Sequence, residues 1–213
     1  IMEYNLIATT TFGLEGITAK ELKALGYENL KTENGKVFFE GDEMDIAIAN
    51  IHLRTADRIL INMGEFNALS FEELFQGTKK IKWHEIIPVD GIMHVNGKSV
   101  KSQLHSVPDC QSIVKKAIVD SMSEAYGIKH FSEDGPLYKI EVSILKDKVT
   151  LTIDTTGPGL HKRGYREEAG IAPLKETLAA AMVLISRWKE EFVLVDPFCG
   201  SGTILIEAAM IMQ

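Results

Sequence analysis

The sequence predicts an α+β N-terminal part followed by the start of a doubly wound α/β domain. Three observations carry this. Short strand candidates alternate with helical periods along the first part of the chain. Two strongly alternating segments, Tyr138–Ile144 and Val149–Ile153, read as paired strands. Near the C-terminus a continuous apolar run, Phe192–Val195, passes through a glycine turn directly into a helix. With 213 residues, 45% hydrophobic and 25% charged, the composition excludes a disordered, collagen-like or fibrous chain.

In order, Tyr4–Thr10 is a strand candidate. Leu14–Leu25 has helical spacing (Leu14, Ile17, Leu22, Leu25), with Gly26 placed as a C-cap. Asn34-Gly35 predicts a hairpin turn into a strand at Val37–Phe39. A second helix is expected over Asp45–Arg58 and a strand over Ile59–Met63, which together give a small split sheet with helices on one face. Ser70 with Glu73 three residues on is a capping box that opens a helix to Ile81. Ile92–Val95 is a strand, Asn96–Ser106 a loop, and Gln111–Tyr126 a helix whose apolar stripe is Val114, Ile118, Met122 and Ala125, with Pro108 just ahead of it. The two alternating strands follow, and Thr155–Gly170 is a connector. Pro173 opens a helix from Leu174 to Trp188. Phe192–Val195 is expected as a strand buried on both faces, and Thr203–Met212 as the helix after the turn. Gln213 follows Asp196 by 17 residues, too few for a second parallel strand, so the sequence is expected to be truncated.

The net charge of −7 argues at first against a nucleic-acid partner, but its distribution is uneven. Residues 1–75 hold six Lys/Arg against thirteen Asp/Glu, whereas residues 76–130 hold eight against five. The local field governs contact with phosphates, so the basic middle remains a candidate nucleic-acid face. Cys110 and Cys199 cannot build a disulfide framework and lack the spaced partners of a zinc site, so no metal is expected. No apolar run reaches the roughly 18 residues of a membrane span, and IMEYNLIATT lacks a signal peptide's regions. The expectation is a soluble cytoplasmic protein.

The sharpest chemical signal is Asp196-Pro197-Phe198-Cys199-Gly200-Ser201-Gly202-Thr203. Glycines after a strand let backbone approach a ligand, and the next helix offers unpaired N–H groups to an anion. A P-loop would need Lys-Ser/Thr after Gly202, where Thr203-Ile204 stand. The dinucleotide fingerprint would need a glycine where Leu205 stands. Two readings remain from the residues alone: the S-adenosylmethionine turn of a class I methyltransferase, and a tight strand–helix turn without a ligand. Lys162, Arg163, Tyr165 and Arg166 form the densest basic cluster, and arginine beside an aromatic ring can clamp phosphates and stack on a base. Lys98, Lys101, Lys115 and Lys116 would make a phosphate-contacting face or an ordinary solvated one. Cys199 has no basic neighbour in sequence and reads as a small turn residue.

Asp196–Thr203 resembles motif I of the RNA methyltransferases that modify guanine N2. Ile171–Ala179 resembles the helix motif that precedes it in those proteins, and Gly159–Arg166 is similar to their Leu-His-Lys/Arg-Arg-Gly-Tyr-Arg string. Lys98, Ser99, Ser102, Pro108-Asp109, Gln111 and Lys115–Ile118 resemble the THUMP RNA-binding domain. The nearest group is the THUMP-containing 23S rRNA guanine-N2 methyltransferases. The resemblance implies a ferredoxin-like lobe over 1–64, a THUMP domain over 65–156, a basic connector over 157–170 and the beginning of a Rossmann-like methyltransferase domain over 171–213. It implies that S-adenosylmethionine is held by Pro173, Leu174, Lys175, Asp196, Pro197, Phe198, Gly200, Ser201, Gly202 and Thr203, with Lys175 facing its carboxylate. RNA, 23S rRNA first and tRNA as the alternative, would be bound by Lys98, Lys101, Ser102, Gln111, Lys115, Lys116, Lys162, Arg163, Tyr165 and Arg166. The family's Asn/Asp-Pro-Pro-Tyr/Phe motif for the target base does not occur in these 213 residues, so no catalytic residue is assigned. The non-enzymatic alternative is an RNA-binding module.

Overall fold

The computed structural model describes residues 2–132, 134–166 and 173–213. They divide into two compact units, one formed by 1–60 with 155–213 and the other by 61–154.

The first unit begins in the order β1 (Tyr4–Thr10), α1 (Glu15–Ala24), β2 (Lys31–Glu33), β3 (Lys36–Gly41), α2 (Glu43–His52) and β4 (Ala56–Asn67), the last strand running on into the second unit. The sheet order is β2-β3-β1-β4, with β1 antiparallel to β3, so that Leu6 faces Phe39 and Ala8 faces Val37 across the ladder. Leu6, Ile7 and Ala8 are all fully buried, three in succession, which means that both faces of β1 are covered. The Asn34-Gly35 turn forms as expected, with Gly35 at φ 73° and its carbonyl accepting from Thr10 N–H at 2.9 Å.

Helix α2 is shorter at its C-terminal end than the periodicity suggests. A capping box sets its start: Asp42 accepts from the amides of Met44 and Asp45, and Asp45 returns the bond to the Asp42 amide at 2.8 Å. Its end at His52 is fixed from outside. The Glu21 carboxylate of α1 accepts from the amides of Arg54 (2.8 Å) and Thr55 (3.1 Å) and from the Thr55 hydroxyl. Those bonds turn the chain into β4 where local periodicity would have continued the helix. Burial pushes the Glu21 carboxyl above its ordinary range, and the Thr55 and Arg54 bonds work in the opposite direction.

The second unit holds α3 (Phe71–Lys79), a 3-10 turn at Trp83–Glu85, β5 (Ile92–Val100), α4 (Val107–Tyr126), β6 (Leu137–Leu145) and β7 (Lys148–Asp154), with strand order β4-β7-β6-β5. β5 runs parallel to β6 from Ile92 opposite Leu137 to Val100 opposite Leu145. The expected loop over Asn96–Ser106 is therefore half strand, because pairing with β6 carries β5 through its polar residues. The core is Leu74, Trp83, Ile87, Val114, Ile118, Met122, Ile140, Ile144 and Leu151, and the Trp83 indole donates to Thr78 O at 2.9 Å. Lys146 and Asp147, both at positive φ, make the tight β6–β7 turn. Gly97 matters for close packing: a Cβ there would lie 3.1 Å from Gln111 Cγ and 3.2 Å from Val107, so glycine lets α4 lie close against β5.

The C-terminal segment returns to the first unit as α5 (Glu176–Ser186) and α6 (Thr203–Ile211), which pack on each other. Ala179, Ala180 and Ala181 are buried, and their small side chains permit the close approach. The expected strand at Phe192–Val195 is not formed. Phe192 is 61% exposed and Val193 90%, and none of the described strands pairs with the segment. A parallel strand needs ladder partners on its edges, and apolar composition alone cannot replace them.

Ser70 accepts from Glu73 N–H at 3.2 Å and Glu73 reaches back to the Ser70 amide. Replacing Ser70 with Ala should therefore lower stability by about 1 kcal/mol. In urea the unfolding midpoint is expected to fall while the slope stays the same.

Candidate cofactor and nucleic-acid sites

The glycine turn between residues 196 and 202 is built by local bonds. Asp196 Oδ1 accepts from Phe198 N–H at 3.1 Å, and Cys199 O accepts from Gly202 N–H at 2.8 Å. Gly200 (φ 54°) and Gly202 (φ 79°) occupy the left-handed region. A Cβ on Gly200 would meet nothing and one on Gly202 only Ile206 Cδ1 at 3.9 Å, so the requirement for glycine is torsional. Gly202 is the N-cap of α6, and no side chain caps that helix. The first N–H groups of α6 therefore open toward the turn, as an anion or carboxylate ligand requires. Pro197, Phe198, Gly200 and Ser201 are exposed, and Asp196 and Gly202 partly so. Cys199 is exposed as well.

Three residues expected at this site already have partners within the chain. Lys175, the N-cap of α5, does not wait for a carboxylate: its ammonium pairs with Asp57 at 2.7 Å, and Asp57 also accepts from the Thr177 hydroxyl at 3.2 Å. Thr203 is buried, its hydroxyl accepting from Arg166 at 2.8 Å. Leu174 offers its backbone oxygen to the same guanidinium at 3.0 Å. Pro173 is exposed, whereas Ile171 and Ala172 lie outside the described residues.

The larger correction concerns the basic connector. Arg163, Tyr165 and Arg166 do not form an outward-facing cluster. Glu207 of α6, 0% exposed, accepts from Arg163 Nε and Nη2 (both 3.2 Å), from Arg54 Nη2 (3.1 Å) and from the Tyr165 hydroxyl (2.9 Å). Arg163 gives two further donors to Leu160 O at 2.6 Å and Arg54 O at 2.7 Å. Arg166 pairs with Glu176 at 3.3 Å. A carboxylate taken out of water demands this degree of compensation, and Arg163 supplies it side-on through Nε and Nη2. Burial first, then the Glu207 contact, pushes the Tyr165 hydroxyl up to about 12. Of the cluster, Lys162 alone is exposed. Arg54, Asp57 and Glu207 escape sequence reasoning. The available signal is Glu207 itself, the single charged residue in the otherwise apolar helix Thr203–Ile211.

In the second unit, Lys98 stands exposed at the end of β5 and pairs with Glu141 at 2.7 Å. Lys101 occupies the turn that follows, at φ 49°. Ser102 serves that turn, donating to Val100 O and accepting from Asp147 N–H at 3.0 Å. Gln111 is half-buried beside Gly97. Lys115 and Lys116 are exposed on α4, and the Lys116 ammonium lies 5.7 Å from the centre of the Phe75 ring. This strand end, turn and helix bring the expected lysines onto one unit's surface. Among the described residues no group of three or more His, Cys, Asp and Glu could hold a metal, and no helix is long and apolar enough to cross a membrane.

Residues 5–60 match the model of the RlmL ferredoxin-like domain, 68–154 that of the THUMP domain and 163–213 that of the RMKL-like methyltransferase domain. YpsC of Bacillus subtilis (strain 168), a "putative RNA methyltransferase", is 54% identical over 213 residues, covering 99% of this chain and 55% of YpsC. In order along the chain, the three matches are the ferredoxin-like, THUMP and methyltransferase domains of RlmL-like proteins. Two solved structures share its fold. One is described as a predicted N6-adenine-specific DNA methylase from Listeria monocytogenes (TM-score 0.96, 56% identity, all of this chain and 56% of that one). The other is SMU.472, a "putative methyltransferase complexed with SAH" (TM-score 0.94, 48% identity, 99% of this chain and 56% of that one). The chain thus spans little more than half the length of these relatives. The methyltransferase match begins at Arg163 and so takes in the inward-facing Arg163, Tyr165 and Arg166.

Glu207→Ala leaves two buried guanidinium groups without their carboxylate and should cost about 3–5 kcal/mol of stability, with Glu207→Gln costing less. The Tyr165 hydroxyl, raised from 10 to about 12 in the fold, contributes stability that is complete below pH 10 and lost as the pH rises toward 12. Stability measured from pH 9 to 12 should therefore decline less steeply in Tyr165→Phe than in the wild type, and parallel curves would count against the assignment.

Proposed function

We propose that this chain supplies the RNA-docking part and the first half of the cofactor pocket of an S-adenosylmethionine-dependent RNA methyltransferase that acts on the exocyclic N2 of guanine in 23S rRNA. The observation that carries the reading is the Asp196–Thr203 turn: an acidic residue, two left-handed glycines and an uncapped helix N-terminus, all open to a ligand. A relative aligned over 99% of the chain, SMU.472, was solved with SAH, the demethylated form of the same cofactor. The THUMP match over 68–154 and YpsC's name favour RNA over the DNA named for the Listeria protein.

The residues present fit the amino-acid end of such a cofactor. The N–H groups at the start of α6 suit its carboxylate, and Asp196 suits its ammonium. When bound, the cofactor supplies an electrophilic methyl group on sulfonium sulfur. The chain's own task is positioning: the turn fixes one end of the donor, and the lysines of the THUMP unit hold the phosphate backbone so that acceptor and donor meet in line. Because those contacts are to phosphates, binding is expected to weaken steeply with salt.

Gly202→Leu places a branched side chain at φ 79° and is expected to abolish S-adenosylmethionine binding in a folded protein, as read by calorimetry. Unchanged affinity would remove the turn from the cofactor site. Charge reversal at Lys115 and Lys116 should weaken binding of an rRNA fragment at low salt and leave cofactor affinity intact. Methyl transfer compared on unmodified rRNA, tRNA and duplex DNA tests the acceptor: preference for tRNA or DNA would overturn the 23S assignment.

A further inference from the structure

The guanidinium of Arg166 spans two segments that lie far apart in sequence. Its Nη2 donates to Leu174 O at 3.0 Å, just before α5, and to Thr203 Oγ1 at 2.8 Å, the first residue of α6 after the glycine turn. Its Nε lies 3.3 Å from Glu176 Oε1, and the side chain is only 13% exposed. These donors face inward, so Arg166 does not present them to a phosphate. We propose that Arg166 is a positioning residue for the cofactor turn, locking the approach to α5 against the start of α6. This rests on the cofactor reading above.

Thr203 Oγ1 also stands 3.3 Å from Ser201 Oγ, in a contact where either hydroxyl can donate. Through Thr203 the Arg166 guanidinium is therefore linked to Ser201, an exposed residue of the turn itself. Arg163 and Glu207 anchor the other flank of α6, so the helix is held at its first residue by Arg166 and one turn later by Glu207.

The test uses the intact protein with Arg166→Ala, Arg166→Lys and Thr203→Val. Hydrogen exchange of the amides from Gly200 to Ile206 is measured without ligand, S-adenosylhomocysteine affinity by calorimetry, and RNA affinity by anisotropy. Both Arg166 variants should speed exchange in that segment and weaken S-adenosylhomocysteine at least about tenfold, while RNA affinity stays within about twofold. Thr203→Val should weaken the ligand in part and add nothing to Arg166→Ala. Unchanged exchange and ligand affinity in Arg166→Ala would overturn the proposal. Loss of RNA affinity with unchanged S-adenosylhomocysteine affinity would also overturn it and return Arg166 to a phosphate-facing role. If Arg166→Ala does not fold, Arg166→Lys, which keeps the charge on a side chain one atom shorter and lacks the Nε that faces Glu176, decides by the same readings. A wild-type protein that binds no S-adenosylhomocysteine would sink the function proposed above, and exchange would still decide the clamp.

Discussion

A fully buried carboxylate organises the first unit. Two arginines and a tyrosine converge on the buried Glu207 carboxylate, and they come from two well-separated stretches of chain. Arg54 follows α2, Arg163 and Tyr165 belong to the segment after β7, and Glu207 sits on the last helix. Their convergence fixes α6 against residues whose sequence neighbours form the ferredoxin-like lobe. An apolar cluster would bury similar area without specifying rotation. The ion cluster specifies which face of α6 turns inward, and with it the orientation of the glycine turn at the helix's start.

The second unit solves a different problem. β5 and β6 are parallel and need a crossover, which α4 provides, and the closeness of that helix depends on a glycine beneath it at position 97. Apolar residues Val114, Ile118 and Met122 are thereby committed to the core, and Lys115 and Lys116 are left on the opposite face. The exposure of the lysines follows from helical geometry once the core face is fixed.

Much of this was legible in the sequence where local chemistry decides structure. The Ser70–Glu73 box, the Asn34-Gly35 turn and the alternation of β6 and β7 are each specified by residues within a few positions of one another. What stayed hidden depends on partners far along the chain. The end of α2 is set by Glu21, more than thirty residues earlier, and the basic run around Arg163 faces inward because a carboxylate lies 44 residues later. A run of cations reads alike whether it meets phosphate or a buried glutamate. The site followed the same rule: the torsions of the glycine turn were readable, whereas the engagement of Lys175 with Asp57 was not.

The apolar stretch from Phe192 to Phe198 has a practical consequence. Phe192, Val193, Val195 and Phe198 present 61%, 90%, 73% and 93% of their surface to water, and none of the described strands pairs with them. The first four residues of the stretch, Phe192–Val195, have high β-propensity and carry no charge or proline until Asp196-Pro197, so two copies can zip together over that length. Preparations of these 213 residues by themselves are therefore prone to self-association and poor solubility, and Val193→Lys or Val195→Lys offers a direct remedy because neither side chain supports the core.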